Sequence, residues 1–113
     1  MRPSPREEPP RPDERTVQVH LLPDLVPPGA LEGATAVVID VLRATTTMIT
    51  ALAAGCADVR PCATVEEARG LAGRLGAGRA LLGGERQNVR IEGFDLGNSP
   101  LEYTEEICRG KTL

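Results

Sequence analysis

Asp40, Glu85 and Asp95 are carboxylates, each placed where an apolar run or a glycine turn gives out. Carboxylate oxygens are hard ligands, and Mg²⁺ takes one or two of them together with waters and substrate phosphate oxygens. Arg43 and Arg86 supply planar guanidinium donors suited to phosphate, sulfonate or carboxylate. Thr45 and Thr46 stand where a helix is expected to begin, so hydroxyls and backbone N–H groups would meet a dipole that favours an anion. Asp95 and Asn98 lie in the glycine-flanked run Gly93-Phe-Asp-Leu-Gly-Asn-Ser-Pro100. Gathered in space, these groups would bind a small, multiply anionic substrate beside a metal. The metal would polarise a phosphoryl oxygen and lower the pKa of an attacking water.

Each residue also has a plainer reading. Asp40 can cap the helix that follows it, and the threonines can cap and pack. Loop arginines are usually solvated or salt-bridged, and Gly83-Gly84 is a common turn. Asn98 and Ser99 suit a turn and an N-cap. Cys56 and Cys62 flank an expected strand with no base nearby in sequence, so they read as packing residues. His20 has no Cys or His at ligand spacing and reads as a surface residue. Spacing alone therefore supports a small-anion site and no more.

The elements that must position these groups follow from periodicity. Val37, Val38 and Ile39 are consecutive apolar residues, as in a strand buried on both faces. Met48 to Ala54 is apolar nearly all round and predicts a buried helix stopped by Gly55. Thr16 to Leu22 alternates as an edge strand does, and Ala57 to Pro61 and Arg79 to Gly83 read as further strands. Thr64-Val-Glu-Glu67 is a capping box opening a helix over Val65 to Leu75, which Gly76 ends. Gln87 to Glu92 reads as a polar loop. Ser99-Pro-Leu-Glu102 is a second capping box, Thr104 to Ile107 restarts a helix, and Lys111-Thr112-Leu113 looks like the opening of a strand. Alternating strands and helices predict an α/β fold with a mostly parallel sheet, its ligands lying beyond the carboxyl ends of the strands.

Composition narrows the function classes. One small domain is the most that 113 residues allow, with residues 1–15 as a disordered Pro/Arg-rich tail and the domain over 16–113. A net charge of −3 and 2% aromatic residues give no reason to expect nucleic acid as a partner. No apolar run reaches membrane-span length, so no membrane partner is expected. An odd set of 3 cysteines in no metal-like pattern fits a cytoplasmic setting. An open sheet edge would leave association into a homo-oligomer open.

Val38-Ile-Asp-Val-Leu-Arg-Ala-Thr-Thr-Thr47, Ala63-Thr-Val-Glu-Glu-Ala68, Leu82-Gly-Gly-Glu-Arg86 and Gly93-Phe-Asp-Leu-Gly-Asn-Ser-Pro-Leu-Glu-Tyr103 occur in order. As a set they closely resemble the 2-phosphosulfolactate phosphatase (ComB-like) family, over residues 16–113. The resemblance implies a three-layer α/β/α fold and a Mg²⁺-dependent phosphomonoesterase. Such an enzyme hydrolyses 2-phospho-3-sulfolactate to 3-sulfolactate and phosphate, a step of coenzyme M biosynthesis. It implies Asp40 and Glu85 as metal-linked acids and Arg43 and Arg86 as anion clamps. Thr45 and Thr46 would be helix-end donors, with Asp95 and Asn98 as further substrate contacts. Asp40-Val-Leu-Arg43 lacks the Asp-x-Asp pattern of haloacid-dehalogenase phosphatases, so their aspartyl-phosphate route is not implied. Family members continue beyond the Gly-Lys-Thr-Leu segment, so the chain matches a truncated, N-terminal half. The alternative expectation is an inactive, anion-binding fragment of that family.

Overall fold

A computed structural model of the chain describes residues 16–113; the tail expected over residues 1–15 lies outside them. Helices alternate with short strand-like segments, an α/β arrangement. Among the described residues no helix is long and apolar enough to cross a membrane. The chain divides between Val37 and Val38 into two compact units, each described by itself.

The described part of the first unit is a succession of turns with one 3-10 turn, Pro23–Leu25. Its hydrogen bonds are local, such as Ala30 N–H to Pro27 O at 3.1 Å and Ala34 N–H to Leu31 O at 3.1 Å. The edge strand expected over Thr16 to Leu22 does not form, and Val17 and Leu21 are 90% and 86% exposed. Alternation marks a strand only if a sheet edge is present to pair with it, and a lone extended segment gains neither ladder nor burial. His20 is exposed.

The second unit opens on Val38 and Ile39, which were expected in a doubly buried strand. They are instead 85% and 74% exposed, without a ladder partner among the described residues. Helix α1 follows at Ala44–Ala53, so the threonines form its first turn. The Thr45 N–H donates to Asp40 O at 2.8 Å and the Thr46 hydroxyl to Val41 O at 2.6 Å, fastening the entering chain to that turn. The expectation that Met48 to Ala54 is buried all round is corrected too. Only Thr47 and Ala51 of α1 are buried, while Ile49 is 61% exposed. An all-apolar helix is covered only when layers pack on every side of it.

Helix α2, Val65–Leu75, forms as its signals predict. Thr64 Oγ1 accepts the Glu67 N–H at 3.1 Å, and Glu67 Oε2 accepts the Ala63 N–H at 2.9 Å, one residue before the usual capping-box partner. Gly76 takes a φ of 92°, a left-handed value that glycine adopts without a Cβ clash.

Four segments pair in parallel through three single bridges. Thr112 bridges both Asp58 and Ala80, and Gly83 bridges Leu96. Lys111–Leu113 therefore lies between the 57–60 and 79–82 segments. Its bonds run Leu113 N–H to Asp58 O at 3.0 Å and Leu81 N–H to Thr112 O at 2.7 Å. The expected polar loop after Glu85 is instead a hairpin. Strand β1, Glu85–Arg86, pairs antiparallel with β2, Val89–Arg90. Gln87 and Asn88 form its two-residue turn with φ of 51° and 61°, as a type I′ turn requires. A 3-10 turn, Pro100–Glu102, leads to the short helix α3, Glu105–Cys108.

The core gathers Ala51, Cys56, Leu81, Leu96, Tyr103 and Cys108. Cys56 and Cys108 are free thiols. Burial, and then the hydrogen bond with Cys108, push the Cys56 thiol up to about 11. A thiol held protonated is a poor nucleophile, in keeping with a packing role.

Candidate functional site

The β1–β2 turn fixes Glu85 at the start of β1, directly after the Gly83-Gly84 pair. Its carboxylate is held by two partners. Oε2 accepts from Arg43 Nη2 at 2.8 Å, and Oε1 accepts the Asn98 N–H at 3.0 Å. The Asn98 carbonyl in turn accepts the buried Thr47 hydroxyl at 2.9 Å. Arg43 and Thr47 lie four residues apart and so share one side of the first turn of α1. The start of α1, the start of β1 and the 97–98 turn are thereby tied together.

Gly97 completes the arrangement. Its N–H donates to Glu102 Oε2 at 3.0 Å, and its carbonyl accepts the Tyr103 hydroxyl at 2.8 Å. A Cβ at Gly97 would lie 2.9 Å from Glu102 Oε1 and 3.1 Å from Glu85 Oε1, so a larger residue would push these carboxylate ends back from the turn. Burial, followed by the nearby Glu102 charge, pushes the Tyr103 phenol up to about 12, so it stays a donor to Gly97.

The remaining residues singled out from the sequence are distributed around this knot. Arg86 is exposed, its Nη1 on the carbonyl of Glu85 at 3.1 Å. Asp40 is exposed just before α1. Its N–H donates to Thr45 Oγ1 at 2.9 Å, and its carboxylate accepts no hydrogen bond among the described residues. The Thr45 and Thr46 hydroxyls face back along the entering chain, toward Asp40 N–H and Val41 O. Asp95 turns elsewhere: Oδ2 accepts the Leu82 N–H at 2.8 Å, which fastens its loop to the neighbouring segment. The structure thus joins Arg43, Glu85 and Asn98 directly, with Arg86 alongside, and gives Asp95 a tethering bond.

Three contributors were not picked out as site residues beforehand. Thr47 was read only as part of a threonine run, although its spacing from Arg43 is a usable signal. Glu102 was assigned to a capping box with Ser99. That box is corrected: Ser99 makes no side-chain cap, and the Glu102 carboxylate reaches back to Gly97 instead. Tyr103 carried no local signal, because its role depends on a turn that only folding brings near.

Of the two acids expected to be metal-linked, Asp40 presents an exposed carboxylate that accepts no hydrogen bond among the described residues, while Glu85 is held by protein donors. Both Glu85 oxygens are engaged, and among the described residues no three His, Cys, Asp or Glu side chains converge as a metal site. Beside the knot lies a cavity of about 350 Å³, reached by Glu85, Arg86 and Asn98 at its polar end. Elsewhere its lining includes the apolar α2 residues Val65, Ala68 and Leu71 together with Arg60 and Thr64.

The profile of the 2-phosphosulpholactate phosphatase family matches residues 20–113. The chain belongs to this family. It is 57% identical over 79 residues to a probable 2-phosphosulfolactate phosphatase of Clostridium acetobutylicum, an alignment covering 70% of this chain and 33% of that protein. A relative of the same description from Clostridium botulinum is 44% identical over 97 residues, covering 86% of this chain and 41% of that protein. One from Clostridium perfringens is 46% identical over 99 residues, covering 86% and 40%. The chain therefore spans well under half the length of these 2-phosphosulfolactate phosphatase relatives.

Proposed function

We propose that this chain carries the anion-binding part of a phosphomonoesterase acting on 2-phospho-3-sulfolactate. The carrying observation is the Arg43–Glu85–Asn98 knot at the N-terminal end of α1. One guanidinium nitrogen of Arg43 is taken by Glu85, which fixes the planar group and leaves its other N–H donors for an oxyanion. Arg86, next to Glu85 in β1, adds a second, solvent-facing guanidinium. The substrate bears phosphate, sulfonate and carboxylate, groups that planar guanidinium donors suit.

In the proposed reaction water adds to phosphorus as the bond from phosphorus to the substrate's C2 oxygen breaks. That oxygen leaves as the alcohol of 3-sulfolactate. The chain's contribution is positioning and charge compensation, the main terms in phosphoryl transfer. Mg²⁺ dependence, the three-layer α/β/α architecture, a cytoplasmic setting and a place in coenzyme M biosynthesis belong to the same proposal. They are supported by family membership.

The test is phosphate release from 2-phospho-3-sulfolactate by the folded chain, with Mg²⁺ and with a chelator. Release that stops on chelation supports the full reading. A folded chain that binds phosphate without turning substrate over supports the second reading, a non-catalytic anion-binding piece. The double engagement of Glu85 favours that second reading. A folded chain that neither binds nor hydrolyses contradicts both.

A further inference from the structure

Arg90 stands directly across the β1–β2 hairpin from Glu85. The Ile91 N–H bonds Gly84 O at 3.2 Å, so Gly84 and Ile91 form a hydrogen-bonded pair. Pairs alternate along an antiparallel ladder, which makes Glu85 and Arg90 the non-hydrogen-bonded pair next to it. In such a pair the Cα atoms stand about 4.5 Å apart and the side chains share one face of the ribbon. The Arg90 side chain therefore leaves the hairpin beside that of Glu85, on the face from which Glu85 reaches Arg43 and Asn98.

Opposite charges placed directly across a ladder attract and commonly pair. Here they do not. The two Glu85 oxygens are taken by Arg43 and by the Asn98 N–H, and Arg90 forms no ion pair among the described residues. Its Nη1 donates instead to the Asp95 carbonyl at 3.1 Å, in the same 93–98 loop that delivers the Asn98 N–H. A carbonyl fixes the guanidinium without neutralising it. The residue is exposed, and its other donors have no partner among the described residues. Glu85 thus has one guanidinium bonded to it and a second beside it, and offsets the charge of the first alone. A tethered, uncompensated guanidinium next to an anion clamp suits a ligand with a second anionic group close to its phosphate.

We propose that Arg90 is a specificity-determining residue of this site, binding a carboxylate or sulfonate carried on the carbon skeleton next to the phosphate held at Arg43. The inference rests on the anion-binding reading of the Arg43–Glu85–Asn98 knot. It names the group by which the site separates a phosphate ester with a neighbouring acid group from phosphate alone.

The experiment is calorimetric titration of inorganic phosphate, 2-phosphoglycolate and 2-phospho-3-sulfolactate into the full chain and into its Arg90→Ala and Arg90→Met variants. The methionine keeps the apolar stem, and Arg74→Ala, in the last turn of α2, controls for the loss of one positive charge. Both Arg90 variants should bind 2-phospho-3-sulfolactate at least about tenfold more weakly than the parent chain and inorganic phosphate within about twofold of it, since a charge-assisted bond is lost to one ligand only. Weakening that extends to 2-phosphoglycolate assigns Arg90 to the carboxylate, and weakening confined to 2-phospho-3-sulfolactate assigns it to the sulfonate. Equal weakening of all three ligands, weakening matched by Arg74→Ala, or unchanged affinity throughout overturns the proposal and leaves the anion-binding reading standing. A parent chain that binds none of the three removes that reading, and the proposal with it.

Discussion

Arg43 Nη2 lies 2.8 Å from Glu85 Oε2, although 42 positions of sequence separate the two residues. The pair is asymmetric in its surroundings: the Arg43 side chain is 40% exposed and that of Glu85 is 17% exposed. The guanidinium thus faces solvent at the end of α1 while the carboxylate is anchored from within. Such an arrangement holds a cation steady for an external anion.

Glu85→Gln should preserve the shape of the knot and remove its charge. The amide oxygen can still accept the Asn98 N–H, so the stability loss should be modest, about 1 kcal/mol or less for a partly exposed pair. Urea unfolding measures it. A loss of several kcal/mol would mean that Glu85 supports much more than this one turn.

Thr47→Val removes a buried hydroxyl while keeping the side chain's shape. The Asn98 carbonyl loses its donor, which costs about 1–3 kcal/mol when no water replaces it. Thr64→Ala removes the cap of α2 and should cost about 1 kcal/mol. The pair separates the site from the scaffold: only Thr47→Val should weaken phosphate binding, as titration calorimetry reads it. Equal weakening by both substitutions would show that Thr47 acts through general stability alone.

Of these two positions, only Thr64 was legible beforehand, and the contrast explains the rest. Thr64, Glu67 and Gly76 are signals read within a few residues, so α2 could be placed to its ends. Val38 and Ile39 carry a strand's composition, but a strand's burial is decided by neighbours far away in sequence, and here those side chains are bare. The β1–β2 hairpin escaped notice because Gln87-Asn88 lacks the usual Asn-Gly signal, yet both residues adopt positive φ. Arg43, Glu85 and Asn98 were each identifiable as chemistry at an element's end. Their direct contact was not, and Glu102 looked like a cap because its true partner, Gly97, precedes the expected helix.

Alkaline pH should destabilise the fold through two buried acids. The Cys56 thiol is raised from 9.0 to about 11 and the Tyr103 phenol from 10.0 to about 12. Their folded values exceed the unfolded ones, so their full contribution is present below about pH 9. It declines as pH rises from there through the folded values, because the unfolded chain ionises first. Urea midpoints should therefore fall between about pH 9 and pH 12. In Tyr103→Phe the Tyr103 share of that decline should vanish. A flat midpoint across this window would contradict the burial of both groups.

Thiol labelling at neutral pH should distinguish the cysteines. Cys62 is partly exposed while Cys56 and Cys108 are buried. One equivalent of iodoacetamide should therefore react early and the rest only on unfolding. Early loss of all thiols would place the core cysteines at the surface.

The central claim is that Arg43, fixed by Glu85, is the principal anion-binding group of this chain. Calorimetric titration of 2-phospho-3-sulfolactate into the chain and into its Arg43→Ala variant tests it most directly, with circular dichroism to confirm that both are folded. The account predicts binding that weakens at least about tenfold in the variant, a loss of about 1.4 kcal/mol or more. Equal affinity in the two folded proteins would contradict it.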